Sequence, residues 1–318
     1  MRKVIYVLMA LAFSVASHAQ SVDYLRRYNA LLDRVGYAGV GMETLIDNWS
    51  KAEPESVDML QARFYFYLTK AQGTEVVPRS EAKYLGSTPF LTLKDSAGVD
   101  VHYYEVLKYD ETLFVDALEA LDKAIEVCPN RLDVRFLKAN AYMSYERGEI
   151  DFTLSNVLGL VHDFMTSEAK WQYKEDSKSE PYIVSQEEFS DMMKDYCYNF
   201  FYLGTPSSYQ AFLKLSQRMN SYFKKDADFI GNIGSYYLVA EKDYKTALKY
   251  YDKSLKLQPD NKPIINNALI AARKLKNTKL EKKYLKMQEE QRERMRQGRQ
   301  GRPGGRGGNR PGGAPRME

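Results

Sequence analysis

Two distant stretches of this chain carry the same spacing of small and large residues ahead of a proline. Ala247, Tyr251, Ser254 and Pro259 are spaced by four, three and five residues, and so are Ala117, Leu121, Ala124 and Pro129. In a helix this spacing puts the first three residues of each set on one face. Small residues at the outer two positions let a second helix approach closely, the larger one fills the groove between them, and the proline keeps the helix from running on. A preceding helix is written into the sequence of the first case. Ile230, Ile233, Gly234, Tyr237 and Leu238 follow the i, i+3, i+4, i+7, i+8 spacing of one helical face. Gly231 and Gly234 lie inside it, and each Gly in a helix costs about 1 kcal/mol relative to Ala. Two of them point to close approach by a neighbouring helix, with Gly234 on the buried side.

The rest of the chain repeats this grammar with interruptions. A first helix is expected over residues 22–35, broken by Gly36, Gly39 and Gly41, and a second from Met42 to Lys51, followed by Pro54. Ser56 then caps a third from Val57 to Ala71. Residues 73–110 break the helical period. Phe90 to Leu93 and Val99 to Tyr103 alternate by two across a turn at Lys94 to Gly98, which reads as a β-hairpin or as an extended loop packed on helices. Helices are expected again over Glu111 to Val127, after Pro129, and from Ile150 to Met165. The two marker prolines are out of phase for a strict repeat, and the polar run Lys174 to Pro181 is the visible irregularity. Beyond it Ser185 and Glu188 form a capping box, Gly204 suits a left-handed helix stop, and Thr205 with Pro206 opens another helix ending near Phe223. After Pro259 come a helix over Pro263 to Lys276 and a last one from Thr278 to Met295.

Helix pairs with a small residue, a large one, a small one and a closing proline resemble the tetratricopeptide repeat. The resemblance is specific over residues 111–145 and 228–288 and looser elsewhere. It implies an all-α, helical-hairpin repeat fold (a tetratricopeptide-like α-solenoid) with a small β-hairpin or loop insertion and a disordered C-terminal tail. The organisation expected is a signal peptide at 1–19, N-terminal helical hairpins at 20–72, the insertion at 73–110, a repeat region at 111–296 and an Arg/Gly-rich tail at 297–318. The chain looks similar to exported tetratricopeptide proteins of Gram-negative envelopes.

The N-terminus reads as a processing signal. Arg2 and Lys3 precede a short apolar run from Val4 to Val15, and Ser17-His18-Ala19 supplies small residues for cleavage. Export to the periplasm or cell envelope is therefore expected. Cys128 and Cys197 are the only cysteines. They are either bridged, which export permits, or two buried thiols. The formal net charge of +4 is uneven, because residues 242–296 hold sixteen Lys or Arg against seven Asp or Glu and the body before them is acidic.

Catalytic and metal-binding signatures are absent from the sequence. His102 and His162 lack a partner at a ligand spacing, and there is no nucleophile elbow or phosphate-binding glycine loop. No cofactor, metal or enzymatic activity is expected. The resemblance implies instead that the first helix of each pair lines a concave groove for a protein or peptide partner. Its groove positions fall on Phe136, Asn140, Asn232, Tyr236, Asn266 and Arg273, as contacts or as ordinary solvated positions. Only Arg273 is cationic, which argues against a clamp for a terminal carboxylate. The tail's Arg299, Arg302, Arg306 and Arg310 resemble Arg-Gly segments of RNA-binding proteins, but no aromatic lies among them to stack on bases. An anionic envelope polymer or a membrane surface is the better match, nucleic acid is not expected, and a solubilising role is the plainer alternative. Glycan binding by the aromatic surface is the third functional class.

Overall fold

The computed structural model describes residues 23–300. The chain divides into two compact units, one running to Phe223 and the other beginning at Lys224. In the first, α1 (residues 23–35) stops at Gly36, whose φ of 73° is the left-handed conformation that glycine adopts freely. Tyr24 and Tyr28 of α1 lie 6.2 and 6.0 Å from the ring of Trp49 on α2 (Met42–Ala52). Trp49 is buried and its indole N–H donates to Glu53 Oε2 at 2.9 Å, so the ring's polar edge is satisfied.

Helix α3 (Val57–Ala71), capped by Ser56, packs along α4 (Glu111–Val127), capped by Asp110. Between them the chain leaves to build an antiparallel sheet of β1 (Gln72–Arg79), β2 (Leu91–Lys94) and β3 (Asp100–Tyr109), ordered β1-β3-β2. The register explains how two helices so far apart in sequence still form one hairpin. Gln72 sits opposite Tyr109, and Asp110 N–H donates to Ala71 O at 2.9 Å. The sheet leaves and rejoins the helical layer at one point, so α3 and α4 meet as if joined by a tight turn.

The hairpin expected near residues 90–103 is present, with Leu91 opposite Tyr103 and Lys94 opposite Asp100. Asp95 Oδ1 accepts from the N–H groups of Ala97 and Val99, shaping the turn, and Gly98 has a φ of 79°. The extended-loop alternative is thereby overturned, and β1 is an additional strand. Its Pro78 is tolerated because β1 is an edge strand.

The unit continues as α5 (Leu132–Glu146), α6 (Asp151–Thr166), α7 (Gln186–Leu203) and α8 (Pro206–Tyr222). Both expected caps form: Ser185 and Glu188 close a capping box, and Thr205 closes one with Ser208 ahead of Pro206. Gly204 adopts φ 72° at the stop of α7. The polar irregularity is the tip of a miniature hairpin formed by β4 (Gln172–Tyr173) and β5 (Tyr182–Ile183). Ala117, Leu121 and Ala124 are fully buried, as their spacing requires. Cys128 is a free, half-buried thiol and Cys197 is buried beside Ser216, so no bridge joins them.

In the second unit, α9 (Ala227–Val239), α10 (Tyr244–Leu257), α11 (Lys262–Lys274) and α12 (Thr278–Gln300) pack in succession. The last helix continues past the expected end at Met295. Tyr251 is fully buried and its hydroxyl donates to Ser235 Oγ at 3.2 Å, while Ser254 Oγ donates to Ala227 O at 2.7 Å. The helical glycines are there for this contact. A Cβ on Gly234 would lie 2.8 Å from Tyr251 Cε1 and 3.2 Å from Ala247 O, and one on Gly231 would lie 2.3 Å from Ile264 Cδ1.

Those distances rank two substitutions. Gly234→Ala gains about 1 kcal/mol of helix propensity but drives a methyl into a buried, hydrogen-bonded ring and a backbone oxygen. Overpacking of that kind costs about 1–3 kcal/mol. Gly231→Ala chiefly meets the movable end of an isoleucine. In urea titrations Gly234→Ala should lower the midpoint more than Gly231→Ala, and an unchanged or raised midpoint for Gly234→Ala would refute the account.

Candidate functional site

Helices α3, α5 and α7 are linked side by side by side-chain bonds. Gln61 Nε2 on α3 donates to Asp133 Oδ2 on α5 at 2.9 Å, and Tyr196 OH on α7 donates to Asn140 Oδ1 on α5 at 2.7 Å. Their partners α4, α6 and α8 take the other side of the unit, with α4 against α3 and α5, and α6 against α5 and α8. The side of the α3–α5–α7 layer that the β4–β5 hairpin covers in part is rich in aromatic rings. Tyr37 stacks on Tyr65 at 4.5 Å, Phe136 lies 5.5 Å from Tyr196 and 6.2 Å from Tyr173, and Tyr173 meets Tyr182 edge-on at 5.9 Å.

Electrostatics keep these rings neutral. Burial is the main cause that raises the Tyr65 and Tyr196 hydroxyls well above the ordinary tyrosine range, and Tyr37, Asp133 and Tyr173 add to the effect at Tyr65. Tyr173 is raised for the same leading reason, so all three remain hydrogen-bond donors at any physiological pH. Beneath them Arg131 and Asp133 form a buried, two-pronged ion pair, with Nε to Oδ1 at 2.8 Å and Nη2 to Oδ2 at 2.7 Å. With Gln61 also donating to that carboxylate, its burial is compensated by hydrogen bonds and it fixes the first turn of α5 against α3.

The positions expected for a groove divide between the units. Phe136 and Asn140 are half-buried in the face just described, and Asn140 is already engaged by Tyr196. The other four belong to the second unit. Asn232 is half-buried on α9, whereas Tyr236 is buried, with its hydroxyl 2.5 Å from Glu241 Oε1. Asn266 Oδ1 accepts from Gln288 of α12 at 2.6 Å, and Arg273 pairs with Glu281 of α12 at 2.8 Å. Tyr236, Asn266 and Arg273 are thus tied to the protein's own side chains. Arg299 falls in the last turn of α12, and Arg302, Arg306 and Arg310 lie outside the described residues.

Tyr65, Gln61, Asp133, Tyr173 and Tyr196 are contributors that repeat counting does not reach. Tyr65 and Gln61 escape it because the sheet separates α3 from the marker residues of its partner α4. Tyr173 belongs to a two-residue strand with no periodicity to read. His102 Nδ1 lies 2.8 Å from Thr92 Oγ1 on the exposed sheet, and His162 is exposed on α6. Among the described residues no cluster of three or more His, Cys, Asp or Glu is placed to hold a metal ion.

No protein family and no curated protein matches the chain. Among solved structures, two crystal structures of MamA show a distant likeness. One is 16% identical with a TM-score of 0.39, covering 59% of this chain and 87% of that one. The other is 15% identical with a TM-score of 0.36, covering 59% and 93%. The helical-repeat assignment rests on the hairpins themselves.

The Tyr196–Asn140 bond gives the layer a testable asymmetry. Asn140→Ala leaves the buried Tyr196 hydroxyl only the long 3.5 Å bond to Phe136 O and should cost about 1–2 kcal/mol, whereas Tyr196→Phe removes the donor and should cost about 1 kcal/mol. Equal midpoints for the two variants in thermal or urea unfolding would show that the bond does not hold α5 to α7.

Proposed function

We propose that this chain is an exported helical-repeat scaffold that binds a protein partner on the aromatic face of α3, α5 and α7. The observation that carries the reading is that the half-buried rings of Tyr65 and Phe136 stand beside the amides of Gln61 and Asn140, with the buried Tyr196 bracing Phe136 and Asn140 from behind. Large, stiff aromatic side chains give contact area at low entropic cost, and their polar tips orient an extended backbone. The N-terminal segment 1–19, read as a signal, makes the periplasm or cell envelope the proposed place of action.

A photo-crosslinking residue at Tyr182, on the aromatic edge, should capture a partner that one at Glu119, exposed on α4, does not. The crosslinked peptide should lose affinity about tenfold, roughly 1.4 kcal/mol, on Phe136→Ala. Equal capture from both positions, or an unchanged affinity, would count decisively against this face.

A second reading has its own observation. Lys245, Lys249, Lys253 and Lys256 form an exposed stripe along α10, and Lys279, Lys282 and Lys286 form another along α12. Rows of solvated ammonium groups suit an anionic polymer or membrane surface, in line with the basic balance of this end of the chain. Such binding is screened by salt, so retention on phosphocellulose should fall steeply between low and physiological ionic strength and weaken on Lys249→Glu with Lys253→Glu. Salt-insensitive retention would dismiss it.

A further inference from the structure

The face assigned to the partner is not empty. The hairpin of β4 and β5 leaves the end of α6 and lies over the first turns of α5 and α3, reaching α1. At its base Trp171 and Val184 are buried, and Val184 N–H donates to Trp171 O at 3.0 Å. The backbone then runs as an added extended segment. Gln172 N–H donates to Asn130 O at 2.9 Å, and Asn130 Nδ2 donates to Lys170 O at 2.6 Å. Tyr173 places its ring against Phe136. Lys174, almost wholly buried, donates to Asp58 Oδ1 at 2.7 Å at the start of α3. Ser177 exchanges hydrogen bonds with Asn29, its Oγ donating to Oδ1 at 2.6 Å and its carbonyl accepting from Nδ2 at 3.4 Å. Lys178 reaches Asp33 Oδ2 at 3.1 Å.

We propose that residues 173–181 are a built-in occupant of this face, and that the groove beneath takes an extended, lysine-bearing segment of a partner protein in their place. The inference rests on the scaffold reading above and adds the partner's chemistry and a gate. Charge complementarity sets the chemistry. The surface that receives the tip presents Asp58, Asp33 and the amide of Asn29, and the tip answers with two lysines and a serine. An aromatic residue directly before the first lysine is the element that reaches Phe136. A competing segment therefore needs an aromatic–lysine pair in extended conformation and a second cation a few residues on.

The distribution of apolar contact makes the tip the part that lifts. From Glu175 to Pro181 no residue is buried, each strand is two residues long, and Lys178 meets Asp33 where both side chains are about 60% exposed. Segments held by solvated polar contacts open far more often than packed ones, and the buried Lys174–Asp58 pair is the anchor that has to part for the tip to lift. The base, by contrast, is fixed by Trp171 and Val184. Tethering keeps the occupant at a high effective concentration, so an outside peptide binds only to the open fraction and with proportionately reduced apparent affinity.

The test uses the full chain and a fluorescent synthetic peptide copying Lys170 to Val184. Lys174→Ala combined with Lys178→Ala should speed amide hydrogen exchange over residues 174–181 with no change in the helices. It should also raise the affinity for the peptide about tenfold or more over the unsubstituted chain. Adding Asp58→Asn should abolish the gain, and a scrambled peptide should not bind. Unchanged exchange at the tip, equal peptide affinity in both proteins, or indifference to Asp58→Asn would each overturn the gate. If the peptide ignores the opened variant while the Tyr182 crosslinks persist, the gate falls and the scaffold reading stands. Loss of those crosslinks with peptide binding intact removes the partner and leaves the occupant.

Discussion

Close approach between paired helices is the constraint on which the rest of this structure depends. Ala117 and Ala124 flank Leu121 on α4, and Ala247 and Ser254 flank Tyr251 on α10, all fully buried. With small residues at the outer positions, the larger one enters the groove of the facing helix instead of holding it away. In the second unit the facing helix yields as well, since Gly231 and Gly234 give up side chains where Ile264 and Tyr251 need the space. Glycine weakens a helix in isolation, so its presence here shows that tertiary contact outweighs local propensity.

A helix pair fixed by its interface can tolerate almost anything at its turn, provided that the ends return to the same place. The α3–α4 pair is the case in point. The β1–β3 register returns Asp110 to within a hydrogen bond of Ala71, so the sheet grows from the hairpin's tip without disturbing the buried side. Arg147 anchors the outgrowth from α5, donating to Glu75 Oε1 at 2.7 Å and to Leu107 O. The β4–β5 hairpin is a second departure of the same kind between α6 and α7. Only this hairpin lies between the two marker prolines, so it, and not the sheet, bears on their loss of phase: chain length changes at a connection while the helix interfaces keep their spacing.

What could be read from the sequence was local. The marker spacings, the Ser185–Glu188 box, the Gly204 stop and the turn at Asp95 to Gly98 each depend on a few neighbouring residues, and each has its expected form. What could not be read depends on which elements become neighbours. Strand β1 has meaning only opposite β3, and Tyr65 joins the aromatic face only because α3 pairs with α4 across the whole sheet. Asn140 is legible by position, but the hydroxyl that occupies it comes from Tyr196, two helices further on. Asn266 and Arg273 are placed by the same counting, yet α12 supplies Gln288 and Glu281 to them. Periodicity locates a side chain on a helix; it does not say what the next helix brings to it.

Polar contacts in the first unit divide into two kinds according to burial, and the division bears on recognition. The Arg131–Asp133 pair is shut away from water and completed by Gln61, so breaking any part of it leaves a charge without solvent or partner. Such a pair is rigid, and it sets the floor on which Phe136 and Asn140 stand. Lys178 and Asp33 meet in solvent, where losing the contact leaves both ions hydrated and costs little. A face with a locked floor and a cover held by one buried pair, Lys174 with Asp58, and otherwise by contacts in or near solvent can exchange one extended segment for another without rebuilding itself. Binding energy then goes to the incoming chain's contacts instead of to reorganising the helices.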